Sequence, residues 1–159
     1  MSDDTSSALS VGDTAPDFTL SDQNGEAVTL SSFRGDKNVV LVFFPFAFSG
    51  ICTGELCEIR DNLGAFVSDK VEVLAISCDP MYALRGFADK EGYFFPLLSD
   101  FWPHGKVAQD YGVFNARAGR SLRGTFLIDR EGVIRWSLVN PIGAARDFGG
   151  YHDALATLS

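Results

Sequence analysis

Cys52 is the residue of this chain best placed for covalent chemistry. The stretch from Phe43 to Cys57 reads FFPFAFSGICTGELC. An apolar run over Val39–Phe44 stops at Pro45, a short turn carries Ser49 and Gly50, and Cys52 falls where a helix would begin. A strand that turns into a helix leaves unpaired backbone N–H groups aimed at the first-turn side chain. Those donors and the helix dipole favour an anion, so a cysteine there would be a thiolate of depressed pKa, able to attack through sulfur. A cysteine packed as a small hydrophobe fits the same position. Position alone leaves both readings open.

The elements that must hold Cys52 follow from the residue pattern. Residues 1–10 read as a flexible lead-in, and residues 11–159 as a single domain with no repeat or linker dividing it. Phe18–Leu20 and Ala27–Leu30 are short strands around a turn at Asp22–Gly25, and Ser31–Gly35 is a loop or a single helical turn. Asn38–Phe44 is a continuous β-branched and aromatic run, as expected of a central strand buried on both faces. Apolar residues at Ile51, Leu56, Ile59, Leu63 and Phe66 follow helical spacing. Val71–Ser77 is a second buried strand, closed by Asp79-Pro80. Met81–Gly92 reads as a helix with Leu84, Phe87 and Ala88 on one face, and Phe94–Asp100, with Pro96, as a short edge strand or loop. His104–Tyr111 is a short helix. Thr125–Asp129 and Val133–Val139 form a hairpin about Arg130-Glu131-Gly132, and a C-terminal helix from Gly149 turns Tyr151, Leu155 and Leu158 inward. Strands alternating with helices, then a hairpin, predict an α/β fold: a mixed sheet with helices on both faces.

Composition narrows the function classes. A net charge of −8 without a basic stripe argues against nucleic acid or an anionic membrane as partner. No apolar run approaches the ~20 residues that span a bilayer. The acidic, polar N-terminus lacks the order of a signal peptide, so a cytoplasmic location is expected. Three cysteines, an odd number, fit reduced thiols better than a secreted disulfide framework. The isolated His104 and His152 do not make a metal site.

Spacing adds to position. Pro45, Ser49 and Cys52 spell P-x-x-x-S-x-x-C, and Arg123 opens RGTFLID just before a predicted strand. Around them stand APDFTL, an FRG turn, Glu55 three residues after the cysteine, PLLSD and YGVF. These segments, in this order from Val11 to the end, resemble the peroxiredoxin family. Within it the chain is most similar to the actinobacterial alkyl hydroperoxide reductase E type, particularly through SDFWPHG. The resemblance implies a thioredoxin-like fold with a central mixed β-sheet flanked by helices and an N-terminal β-hairpin. It also implies a thiol-dependent peroxidase acting on hydrogen peroxide, organic hydroperoxides or peroxynitrite without a bound cofactor.

The implied roles suit the residue types. The Cys52 thiolate attacks one peroxide oxygen and becomes a sulfenic acid while the other oxygen leaves with negative charge. Arg123 stays charged and offers fixed donors to the thiolate and the developing oxyanion. Ser49 orients the peroxide. Pro45, without an N–H, walls off water. Glu55 complements the helix dipole and, in the family, helps hold the arginine. Each has a plainer reading: Arg123 in a surface salt bridge, Pro45 ending a strand, Ser49 as a helix N-cap.

Cys57 departs from the E type, which has one catalytic cysteine. C-x4-C resembles the bacterioferritin-comigratory (Q) type, where the second cysteine resolves the sulfenic acid. In an intact helix the two side chains lie roughly 140° apart, whereas a disulfide needs Cβ atoms about 3.8 Å apart, so the first turns would have to unwind. Gly54 eases that by about 1 kcal/mol relative to alanine. The expectation is that Cys57 resolves Cys52 after local unfolding, the alternative being a buried helix-face cysteine. Cys78, with no helix start or cation near it in sequence, reads as structural.

Three rivals remain. A thioredoxin-like disulfide reductase needs C-x-x-C, which Thr53-Gly54-Glu55 does not continue. A peroxide-sensing thiol protein would relay oxidation to a partner through the same cysteine. A Cys-His hydrolase would need His104 at Cys52. The resemblance further implies thioredoxin or a mycothiol/mycoredoxin-type system as reductant. It also implies a homodimer, for which the loop aromatics Phe46, Phe48, Phe101 and Trp102 are candidates.

Overall fold

The computed structural model describes residues 8–61, 70–93 and 95–140, with the side chains of residues 51–53, 55, 58 and 140 outside the described part. The main sheet holds seven strands: β1 (Thr19–Ser21), β2 (Ala27–Thr29), β3 (Asn38–Phe43), β4 (Val71–Ser77), β5 (Leu97–Ser99), β8 (Arg123–Ile128) and β9 (Ile134–Asn140). Their spatial order is β2-β1-β5-β4-β3-β8-β9. A small hairpin pairs β6 (Phe114–Asn115) with β7 (Arg120–Ser121), and the helices are α1 (Gly50–Asp61), α2 (Met81–Glu91) and α3 (Lys106–Asp110). A single 3-10 turn covers Leu30–Phe33.

The apolar run predicted as a central strand is β3, and all six of its residues are buried. Because side chains alternate along a strand, it feeds two cores. Val40 and Val42, with Phe44 just beyond the strand, meet Leu56 and Ile59 of α1 and Leu84 and Phe87 of α2 on one face. Val39, Leu41 and Phe43 meet Phe18, Phe126 and Tyr111 on the other. Tyr111 follows α3, and its ring lies 5.4 Å from that of Phe43 and 5.3 Å from that of Phe126. The sheet is mixed: β3, β4 and β5 run parallel, while β8 pairs antiparallel with β3 and β9 antiparallel with β8.

Three expectations need correction. The strand after Pro96 is interior rather than an edge: β1 pairs with β5 on its far side through Ser21 and Ser99. The amide of Gln23 completes that join, accepting from Leu97 N–H at 2.8 Å and donating to Phe95 O at 3.2 Å. Within the expected lead-in, Ala8 and Leu9 pack on the second core, and Leu9 N–H bonds Tyr111 O at 3.2 Å. Finally, β8 begins at Arg123 rather than at Thr125, because the β6–β7 hairpin delivers the chain to the sheet two residues sooner. The hairpin turn at Asp129–Gly132 is as expected, with Gly132 at a φ of 82° and the Asp129 carboxylate accepting from the N–H groups of Glu131 and Val133. The remainder of the first helix to Phe66 and the C-terminal helix with Tyr151, Leu155 and Leu158 fall outside the described residues.

Candidate active site

Parallel strands release their loops at one edge of a sheet, and an antiparallel neighbour starts at that same edge. The loops after β3 and β4 therefore emerge beside the first residue of β8, which is Arg123. The register pairs Val42 with Thr125. Carried on by two residues, it sets Arg123 level with Phe44, next to Pro45. Arg123 is 2% exposed. Its guanidinium, a planar fork of N–H donors, is thereby set into the wall of this edge.

The loop from Pro45 to Ser49 turns β3 into α1. Pro45 is buried, Ser49 is half-buried and immediately precedes the helix, and Cys52 is the third helical residue. The backbone at Cys52 thus belongs to the first turn, whose N–H groups have no partner within the helix. The side chains of Cys52 and Glu55 lie outside the described residues. The fold brings the backbones of Pro45, Ser49, Cys52 and Arg123 to one edge.

Residues that sequence reasoning passed over fix this loop. The Asp79 carboxylate, in the loop after β4, accepts from Ala47 N–H at 2.8 Å and from the Ser77 hydroxyl at 2.7 Å. Ser121 of β7 donates its hydroxyl to Phe44 O at 2.9 Å, and Ser99 donates to Asp79 O at 2.7 Å. Phe48 holds a φ of 69°, a conformation unusual for a large side chain, with its ring 5.0 Å from that of Phe87. The Arg120 guanidinium stands 5.5 Å from the centre of the Phe46 ring. An Asp-Pro pair after a strand signals a turn but not what its carboxylate will bind. The two-residue strands that carry Ser121 have no readable periodicity.

The other two cysteines differ. Cys78 is 4% exposed; burial first, and then the carboxylates of Asp100 and Asp79, push its thiol pKa up to about 12, which makes it a poor nucleophile. Cys57 is half-buried against the core under α1, with its sulfur 3.6 Å from Glu91 Oε1 and 3.5 Å from the Tyr93 hydroxyl. His104 is committed locally: its ring nitrogens lie 3.1 Å from Phe101 O and 2.6 Å from Gly119 O, in keeping with a packing role.

The sheet order, the helices on both faces and the hairpin on the outer edge are those of a thioredoxin-like α/β protein. Residues 11–137 match the AhpC/TSA family, and the chain belongs to that family, the peroxiredoxins. It is 55% identical over 151 residues to the alkyl hydroperoxide reductase E of Mycobacterium tuberculosis (strain H37Rv), covering 95% of this chain and 99% of the relative. It is 39% identical over 132 residues to peroxiredoxin Bcp of Escherichia coli K12, covering 79% and 83%. Among solved structures, peroxidoxin BcpB from Mycobacterium tuberculosis superposes with a TM-score of 0.81 at 35% identity, covering 94% of this chain and 96% of that one. The chain is accordingly a thiol-dependent peroxidase, an oxidoreductase, and the sensor reading is not favoured.

Proposed function

We propose that Cys52 is the peroxidatic thiol and that Arg123, Ser49 and Pro45 complete its site. The observation that carries this reading is the buried Arg123 at the head of β8, level with the residue before Pro45, beside the helix start that holds Cys52. Attack by the Cys52 thiolate on a peroxide O–O bond forms an S–O bond and expels the other oxygen as hydroxide, as an alkoxide or, from peroxynitrite, as nitrite. A fixed guanidinium and the first-turn N–H groups suit both the anionic sulfur and the leaving oxygen. Ser49 orients the peroxide, Pro45 limits water, and Glu55 supports Arg123. Hydrogen peroxide, organic hydroperoxides and peroxynitrite all offer the bond that this site attacks.

The cycle then needs a thiol. Cys57, in the same helix, resolves the sulfenic acid in this reading, giving a disulfide for thioredoxin to reduce. A mixed disulfide of Cys52 with a small thiol would instead serve a mycothiol/mycoredoxin-type route. The four loop aromatics predicted for a dimer contact are exposed, Trp102 at 79% and Phe48 at 52%, which supports a homodimer using this edge. No helix among the described residues is long and apolar enough to cross a membrane, consistent with a cytoplasmic site of action.

Peroxide titration of the reduced protein, read by intact mass, tests the assignment. Wild type should lose two hydrogens, and Cys57→Ser should stop at a sulfenic acid or its overoxidised forms. Cys52→Ser should show no peroxide-dependent change. Arg123→Gln should lower the second-order rate with peroxide by about 100- to 1000-fold, the usual loss when one oxyanion donor is removed. Oxidation that persists in Cys52→Ser would overturn the assignment.

A further inference from the structure

Cys57 is half-buried, and its neighbours are not purely apolar. Its thiol donates toward Glu91 Oε1 at 3.6 Å, and the Tyr93 hydroxyl lies 3.5 Å from the sulfur. The same Glu91 oxygen stands 4.0 Å from Arg60 Nη1, which also donates to the Glu91 backbone carbonyl. Glu91, Tyr93 and Arg60 are the titratable and charged groups that the described structure sets around Cys57. Asp61 draws on Arg60 from the solvent side at 2.9 Å. Burial, then the hydrogen bond with Cys57, keeps the Tyr93 hydroxyl protonated well above its ordinary range, so it remains a donor.

We propose that Glu91 and Tyr93 activate Cys57 as the resolving thiol, Glu91 taking its proton while Tyr93 hydrogen-bonds the sulfur. The proposal rests on the reading of Cys57 as the partner of Cys52. The step balances internally. The Cys57 S–H and Cys52 S–O bonds break, the S–S bond forms, and the proton passes to Glu91. The hydroxide that leaves Cys52 takes that proton from Glu91 and departs as water, which returns Glu91 to its carboxylate form. The sulfenic sulfur is reduced as the thiol sulfur is oxidised, so no further reactant enters.

The geometry also says which half of α1 moves. Residues five apart in an intact helix have Cα atoms about 8.7 Å apart, beyond the ~7 Å that a disulfide tolerates. The second half of the helix is pinned by Leu56 and Ile59, both 0% exposed, and by Arg60 on Glu91. The first half carries Gly50 and Gly54. A Cβ at either would meet nothing within 4 Å among the described residues, and neither has a left-handed φ, so no packing demand seen there explains these glycines. They weaken the turn that bears Cys52. Cys57 stays on its platform, and Cys52 comes to it as the first turn unwinds.

Rapid-quench oxidation at several pH values, with acid arrest and intact mass, separates sulfenic acid from disulfide. Wild type should form the disulfide at a rate that changes little with pH. Glu91→Gln should slow it at least tenfold and make it rise about tenfold per pH unit, since hydroxide must then remove the proton. Tyr93→Phe should slow it several-fold. Gly54→Ala should slow it about fivefold by stiffening the turn. Oxidation of Cys52 in the same traces reports whether each variant is folded. If wild type forms no Cys52–Cys57 disulfide, the resolving role fails and this assignment with it. If the disulfide forms but neither Glu91→Gln nor Tyr93→Phe alters its rate or pH slope, resolution stands and the assignment alone is overturned.

Discussion

The Asp79 carboxylate holds the backbone N–H of Ala47 at 2.8 Å across 32 residues of sequence. This one bond ties the loop after β4 to the loop that leads into α1. The Ser121 bond to Phe44 and the ring contacts of Phe46 and Phe48 hold the same loop from its other sides. Asp79→Ala should therefore lower kcat/KM for peroxide by about 10- to 100-fold through misplacement. Asp79→Asn, which keeps an acceptor oxygen, should stay close to wild type. Stopped-flow kinetics of both variants checks this; unchanged kinetics in Asp79→Ala would show that the loop stands without the tie.

Cys78 gives a prediction at high pH. Its folded pKa of about 12 lies above the ordinary thiol value. A group whose pKa rises on folding contributes stability that is complete below the unfolded value and is lost as pH climbs toward the folded one. Between about pH 9 and 12, wild type should lose up to ~1.4 kcal/mol of unfolding free energy per pH unit from this thiol. Urea titrations of wild type and Cys78→Ala, taken as a difference, isolate it from the buried tyrosines. The curves should converge as pH rises through that window, while iodoacetamide at neutral pH should spare Cys78 until the protein unfolds.

Asp129 acts at the acid end. Burial alone would raise its pKa, but Val133 N–H, the Arg135 guanidinium and Glu131 N–H bond the carboxylate and hold it below the ordinary value. A depressed pKa contributes stability above the unfolded value that is lost as pH falls through the folded one. Thermal melts from pH 6 downward should show wild type losing more stability below about pH 4 than Asp129→Asn, which cannot titrate.

Thr125 offers a gain. Its side-chain oxygen, in the middle of the buried β8, has no hydrogen-bond partner among the described residues, and the residue is 1% exposed. An unsatisfied buried hydroxyl costs about 1–3 kcal/mol. Thr125→Val should raise stability by about 1 kcal/mol in denaturant titration, with peroxide kinetics unchanged. A loss of stability would mean that the hydroxyl is satisfied after all.

The sequence was legible where local chemistry decides structure. The bounds of β4 and the buried character of β3 follow from continuous β-branched and aromatic runs, and the arrest at Pro45 marks where β3 gives way to the loop before α1. What stayed hidden depends on pairing at a distance. Pro96 suggested an edge, yet Gln23, 74 residues away from Leu97, supplies the acceptor that makes the segment interior. The surroundings of Cys57 come from Glu91 and Tyr93, 34 and 36 residues on, beyond the reach of any spacing rule within the helix.

Those separations bear on how the enzyme comes into being. The bond from Ser121 to Phe44 spans 77 residues, and Arg123 lies further along still. A chain leaving the ribosome presents Cys52 well before either has been made. Until β7 and β8 dock, the proposed peroxidatic thiol has no guanidinium beside it and no fixed turn around it. In that interval it is an ordinary cysteine, with a pKa near ~8.5 and little thiolate at neutral pH. On the proposed assignment, the sulfur that meets peroxide is thereby kept unreactive through synthesis, and it gains its reactivity only when β7 and β8 join the sheet.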